Sequence, residues 1–225
     1  MTTYTDSALI NSVLSIIEVT MKGFMKFLSA LIFSMQSCGA VPLTASQSVN
    51  QHRWDYAISI VLQMEGGYSD DKIDPGGETN YGISLRYLES IGEDIDKDGE
   101  VNGKDIKAMT KEEAIIIYRN FWWNKYGYNN ILDLDLATKI FSLSVNMGAL
   151  RAHKLMQISI NRMNDKALTV DGRFGQKTIN AANSLNPHLL LDELKLNAAH
   201  YYINLIADKP KLSKYTLGWM RRAFS

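Results

Sequence analysis

Apolar residues recur at helical spacing along most of the chain, and the breaks in that rhythm mark the places where chemistry is expected. Trp54, Ile58, Val61 and Leu62 share one helical face, and Glu65 continues the same stripe into the last turn. Gly66 and Gly67 follow, and glycine is the usual residue of a left-handed helix stop. Residues 85–93 predict a short helix with Leu85, Leu88 and Ile91 inward. Thr110-Lys111-Glu112-Glu113 reads as a capping box, opening a helix that carries Ala114, Ile117, Tyr118, Phe121 and Trp122. Residues 135–148 predict a buried helix through Leu136, Ile140, Phe141 and Val145, with Asp135 as its expected cap. Further helices are predicted over 150–163, over a stretch that opens at 170–178 and runs to Leu185, and over 187–207. The last of these places Leu190, Leu194, Ala198, Tyr201 and Leu205 on one face, and Lys209-Pro210-Lys211 breaks it. The pattern is that of a mainly helical protein.

Residues 1–51 follow a different pattern. An apolar stretch over 8–20 is interrupted by Glu18; Met21–Lys26 is basic, 27–35 is apolar, and small and polar residues lead on to Gln51. A basic start, a short apolar core and small residues make a signal peptide, and the core is too short for a clean membrane span. The pattern starts at Met21 or Met25 rather than Met1, which leaves open a later true start, a signal-anchor, or a lipoprotein signal on Cys38 after the ill-matched Met35-Gln36-Ser37. The plain alternative is an extension outside the fold, with folded protein from near His52.

Composition removes some function classes. The chain has 225 residues, enough for one or two domains, with Lys+Arg 24 against Asp+Glu 24. A net charge of zero argues for neither nucleic acid nor an anionic membrane as partner. The single cysteine excludes an intrachain disulfide. With no heptad and no unpartnered apolar stripe, a monomer is expected.

The first helix end is where the chemistry concentrates. A carboxylic acid on an apolar face, at the negative end of a helix dipole, is favoured in its protonated form, as a general acid near neutral pH requires. The plain alternative for Glu65 is a helix-end side chain turned to water. Asp74 follows in the loop Asp74-Pro75-Gly76-Gly77-Glu78-Thr79, whose glycines allow the chain to return and face Glu65. Two carboxylates across a cleft, one protonated and one ionised, are the apparatus of glycosidic cleavage.

The run E-G-G-Y over 65–68 with D-P-G-G-E-T-x-Y-G-I-S over 74–84 resembles the peptidoglycan muramidases of glycoside hydrolase family 108. It is also similar to the Glu–Asp–Thr pattern of phage lysozymes: Glu65 and Asp74 match, while Asn80 holds the threonine's place with Thr79 adjacent, so either of them is open as the group that orients a water. The resemblance implies a lysozyme-like α+β fold, mainly α, with a helical catalytic domain and a small β/loop region. It implies hydrolysis of the β-1,4 bond between N-acetylmuramic acid and N-acetylglucosamine, with Glu65 protonating the leaving oxygen.

The later motifs extend the resemblance over roughly residues 52–225. Val145-Asn146-Met147-Gly148 is similar to the family's V-N-x-G segment, and the family often has a Tyr…Phe-Trp run like that of 118–123. V-D-G-x-F-G-x-K-T over 170–178 and the Gly218-Trp219…Arg terminus resemble a small helical peptidoglycan-binding module. The expected division is an extension 1–51, a muramidase domain 52–155 and a wall-binding module 156–225. Tyr81, Trp122, Trp123, Asn146 and Trp219 are the candidate sugar contacts, because aromatic faces stack on sugar rings and an amide hydrogen-bonds them. For the tryptophan pair the plain alternative is one in the core and one half-exposed; for Asn146 it is a local cap. The partner is peptidoglycan, met in the bacterial periplasm or wall, in phage-type lysis or in protein secretion. A non-catalytic wall-binding protein and a calcium-regulated binding module are the competing classes.

Residues 94–105 form a separate motif. Asp94, Asp96, Asp98, Asn102 and Asp105 put oxygen at loop positions one, three, five, nine and twelve, with Gly99 at six for the sharp turn and Glu100 beside them. This predicts a structural Ca²⁺ loop. Asp at position twelve has a shorter reach than the usual Glu, and the alternative is an acidic surface loop. No cofactor is expected for the chemistry itself.

Overall fold

The structure is a computed structural model that describes residues 44–68, 77–164 and 168–225. Helix α1, Ala45–Met64, buries Trp54, Ala57, Ile58 and Val61 on the stripe read from the sequence. The expected edge at residue 51 falls inside this helix. Its first turns are tied to the fold by Arg119 Nη2 on Gln51 Oε1 (2.9 Å) and Asn129 Nδ2 on Asn50 Oδ1 (2.8 Å). The leader-like run and Cys38 lie outside the described residues.

Two short strands follow, β1 (Thr79–Asn80) and β2 (Ile83–Ser84), antiparallel, with Thr79 opposite Ser84 and Asn80 opposite Ile83. The two residues between them, Tyr81 and Gly82, have φ of 48° and 80°. Positive φ at both central positions is the tight hairpin turn whose twist suits antiparallel strands. Tyrosine rarely adopts it, and here the Tyr118 hydroxyl donates to the Tyr81 carbonyl at 2.8 Å. Helix α2 (Leu85–Ile91) starts at once, with Ser84 accepting from the Tyr87 N–H and Gly92 closing it in the left-handed conformation.

Helix α3 (Gly103–Ala108) leads to α4 (Lys111–Tyr118), which shows the capping box predicted at Thr110 and Glu113. The aromatic run does not continue as α-helix: Arg119–Asn124 winds as a π-helix. The wider turn brings Trp122 and Trp123 both inward, 7% and 2% exposed. Helix α5 (Leu134–Met147) is buried from Leu136 through Ser144 and is packed by α1, α6 (Ala149–Met163) and α8 (Pro187–Asp208). Its cap is Asp133, which accepts from the Leu136 N–H; Asp135 instead accepts from the Tyr56 hydroxyl. Trp54, Tyr118, Trp123, Tyr128 and Phe141 make the aromatic centre, with Phe141 touching the other four rings at 5.6–6.1 Å between centroids.

The C-terminal part contains α6, α7 (Gln176–Asn183), α8, a 3₁₀ turn (Pro210–Tyr215) and α9 (Thr216–Phe224). On α8 the buried tyrosine is Tyr202, not the predicted Tyr201. The expected boundary at residue 155 falls inside α6, a continuous helix, and residues 45–225 form one compact unit. His153 of α6 helps join the parts: its ring nitrogens meet the Tyr128 hydroxyl at 2.7 Å and the Gly172 carbonyl at 3.1 Å. Burial pushes the imidazole down to about 4, so it is neutral at ordinary pH.

Lys139 closes the last helix. From buried α5 its Nζ donates to the carbonyls of Arg222 (2.9 Å) and Ala223 (3.3 Å), near the C-terminus of α9. Burial, then repulsion from Lys195 and Arg222, brings its amine down from 10.5 to about 7. Between those two values the unfolded chain binds a proton that the folded chain does not, so this group's contribution to stability rises with pH across that window. Urea unfolding of wild type and Lys139→Met from pH 7 to 9 is expected to show a wild-type slope steeper by about 1 kcal/mol per pH unit. Parallel slopes would show the amine to be charged in the fold.

Candidate active site

Glu65 is the residue after α1, its N–H still bonded to the Val61 carbonyl at 3.1 Å. Its side chain is 13% exposed, so it does not turn out to water. Its surroundings are also not the purely apolar ones expected. Arg222 Nη2, from α9, lies 2.8 Å from Glu65 Oε1, and the guanidinium side chain is only 6% exposed. The same nitrogen donates to the Met64 carbonyl at 3.3 Å, and Nη1 donates to the Ser142 carbonyl (3.3 Å) and Oγ (3.2 Å). Tyr118 stands nearby; burial, then the Glu65 charge, holds its phenol well above the ordinary value, so it remains a neutral donor.

Gly82 allows this crowding. A methyl group at that position would collide with Glu65 Oε2 and stand 2.6 Å from the Tyr118 hydroxyl. Only glycine has both the room and the freedom for φ +80° here. Gly82 also lines a pocket of about 180 Å³ with Tyr87, Trp122, Tyr126, Val145 and Ala149. Tyr87 and Trp122 lie 4.1 Å apart between ring centroids. The Glu65 carboxyl thus packs on the outer side of Gly82, one wall residue of a small aromatic pocket that Glu65 itself does not line. A larger cavity of about 360 Å³, lined among others by Tyr56, Lys139 and Lys195, includes neither Glu65 nor Gly82.

The other predicted residues fare unequally. Asp74 lies outside the described residues. Thr79 is half-buried, with Oγ1 donating to the Gly77 carbonyl at 3.3 Å. Asn80 is 8% exposed, and its amide is spent on the carbonyls of Ile106 (3.0 Å) and Met109 (3.3 Å). It ties the hairpin to α3, a structural task that leaves this nitrogen none of the water-orienting role expected. Trp122 reaches the pocket, but Trp123 is enclosed by Trp54, Tyr128 and Phe141, so it is core and no sugar contact. Tyr81 is half-buried at the turn. Asn146 is exposed and accepts from the Tyr202 hydroxyl at 2.8 Å. Trp219 stacks between Tyr202 and Tyr215, at 5.1 and 5.5 Å.

In the acidic loop, the carboxylates of Asp94, Asp96 and Asp98 come within 4.8 Å of one another. Asp94 Oδ1 is buried with no hydrogen-bond partner. Asp105 is fully buried and serves the loop from behind: Oδ1 accepts from the N–H groups of Ile95 and Asp96, and Oδ2 from that of Asn102. Burial opposes its charge, but the three N–H donors outweigh that and hold its carboxyl below the ordinary range. Asn102 caps α3 through Oδ1, and Glu100 is exposed. Of the six side chains read as ligands, the three carboxylates of Asp94, Asp96 and Asp98 cluster, and Lys104 Nζ lies 2.9 Å from Asp98.

Sequence reading missed Arg222, Gly82 and Tyr87 as parts of this site. Gly82 had a usable signal, the two-residue turn of Tyr-Gly between strand-like pairs. Arg222 had none, because a terminal Arg-Arg pair looks like an ordinary solvated end.

Comparisons with known proteins bear on the family and the fold. Residues 58–148 match the profile of the family described as glycosyl hydrolase 108, and residues 151–224 that of a predicted peptidoglycan domain. The fold is similar to the solved structure of Brucella abortus SagA, with TM-score 0.63 and 27% identity over 77% of this chain and 90% of that one. No curated protein matches the chain by sequence.

Proposed function

For a chain that belongs to glycoside hydrolase family 108, carries a C-terminal peptidoglycan-binding module and so acts on peptidoglycan, we propose that it is an endo-acting muramidase with Glu65 as its general acid. The bond cut is the β-1,4 link from N-acetylmuramic acid to N-acetylglucosamine. Glu65 passes its proton to the leaving glycosidic oxygen as that bond breaks. A water adds its hydroxyl to the anomeric carbon, and its proton returns to a carboxylate, a role we give to Asp74 with Thr79 beside it. The observation that carries this reading is the shielded carboxyl of Glu65 packed against Gly82, a wall residue of the Tyr87–Trp122 pocket. Tyr87 and Trp122 would hold a sugar ring there, with Tyr81, Asn146 and Trp219 as further wall contacts.

Digestion of purified walls followed by mass spectrometry tests this directly. New reducing ends on N-acetylmuramic acid are expected from wild type and none from Glu65→Gln. Reducing ends on N-acetylglucosamine, or equal cutting by both proteins, would overturn it. The substrate places the protein in a cell-wall context, and no helix among the described residues is long and apolar enough to cross a membrane. We place it as an exported periplasmic monomer that opens the wall locally for secretion of a large protein such as a toxin. Export of the enzyme in growing cells separates this from phage-type lysis, which would clear the culture.

We further propose that residues 94–105 bind Ca²⁺ as a structural brace. Asp94, Asp96 and Asp98 supply hard oxygen donors, and the buried Asp94 Oδ1 has no hydrogen-bond partner that would compete with a cation for it. Millimolar Ca²⁺ is expected to raise the melting temperature by about 5 °C over a chelator-treated sample, corresponding to binding at about 100 Kd. Asp94→Asn should remove most of that gain. Equal melting with and without the metal would reduce the loop to an acidic surface turn.

A further inference from the structure

We propose that Arg222 is a positioning residue of the active site, so that the last helix completes the catalytic centre as well as belonging to the wall-binding module. The inference rests on the reading of Glu65 as the acid. Its basis is the division of labour between the two carboxyl oxygens. Oε1 is held by Arg222 at 2.8 Å, while Oε2 is the oxygen against Gly82, a residue of the aromatic pocket. A bidentate fork would occupy both oxygens; this one-oxygen grip anchors Oε1 and, with Gly82 packed on the other side, leaves Oε2 without an Arg222 contact. The grip is itself anchored, since the guanidinium also reaches the end of α1 through the Met64 carbonyl and α5 through Ser142. Behind it, Lys139 holds the carbonyls of Arg222 and Ala223, which sets the rotation of α9.

Fold stability alone does not account for the arrangement. Replacing a buried ion pair by apolar residues is often neutral or stabilising, so such a pair is weak evidence for stability. Orientation is what it supplies here, and a misplacement of about 1 Å at a reacting group costs about 10²-fold in rate. The charged and titratable groups facing Glu65 are Arg222 from α9, Tyr118 from α4 and Tyr202 from α8, with Lys139 of α5 facing Arg222. Arg222 is the cation in contact with the carboxyl among the described residues. After the proton leaves, it also neutralises the charge left on Glu65.

The test uses the full chain on soluble, peptide-free glycan fragments, so that docking on the wall is not part of the rate. Arg222→Met is expected to lower kcat about 10²-fold with KM changed little. Its pelleting with insoluble walls should match wild type. Arg222→Lys keeps a charge but loses the planar guanidinium that also reaches Met64 and Ser142; it is expected to lower kcat about tenfold with KM changed little. That second variant decides the matter should Arg222→Met fail to fold. Wild-type kcat in Arg222→Lys, or in a folded Arg222→Met, would overturn the inference while Glu65→Gln stays dead. An active Glu65→Gln would instead overturn the reading beneath it.

Discussion

Glu65→Gln is expected to cut purified walls about 10³-fold more slowly than wild type, the scale of a lost general acid. The amide is nearly the same shape and keeps an oxygen for Arg222, so the folded structure should survive. Glu65→Ala should behave differently in one respect. It leaves a guanidinium that is only 6% exposed without its carboxylate partner. Removing one member of a buried pair costs about 3 kcal/mol. The two variants should therefore be alike in turbidity loss of wall suspensions but several degrees apart in melting temperature. Equal melting would mean that Arg222 swings out to water when Glu65 is absent, and that the pair is looser than the geometry indicates. Residual activity within tenfold of wild type in Glu65→Gln would remove the residue from the chemistry altogether.

Gly82→Ala is expected to be the most damaging change that touches no reacting group. The added methyl group meets Glu65 Oε2, Glu65 Cδ and the Tyr118 hydroxyl, in a backbone conformation at φ +80°. A non-glycine residue in that conformation costs about 1–2 kcal/mol. The colliding atoms are side-chain ends and are able to move aside, so the fold should persist with a modest loss of stability. The cost falls on function, because moving aside displaces the carboxyl from the pocket. Activity is expected to fall about 10²-fold. Wall turbidity assays, with circular dichroism to confirm folding, check this. Near-normal activity in a folded Gly82→Ala would show that the carboxyl works from another position.

Much of the helical framework was legible in the chain. The stripe on α1, the capping box at Thr110 and the proline break after α8 are local features, each fixed by residues within a few positions of one another; the left-handed stop read at Gly66–Gly67 is not there, and it falls instead at Gly92, inside the stretch read as helix. The errors came where neighbours in space overruled the local pattern. The π-helical turn placed Trp123 in the core, because Trp54, Tyr128 and Phe141 close around it. Asp133 rather than Asp135 capped α5, which is a slip of two residues along the chain. The motif left Thr79 and Asn80 both open as the group that orients a water, because motif position says nothing about where an amide points; α3 lies close enough to take the Asn80 nitrogen.

By itself the sequence determined a mainly helical chain, a carboxylic acid at a helix end, an acidic loop with calcium-like spacing and a two-part order of motifs. Those properties depend on spacing, and spacing is written in the chain. Only the tertiary structure decided what the acid touches. Glu65 and Arg222 stand 157 positions apart, and no periodicity relates residues at that distance; α9 has to fold back against α1 and α5 before a guanidinium meets the carboxyl and leaves its second oxygen against Gly82.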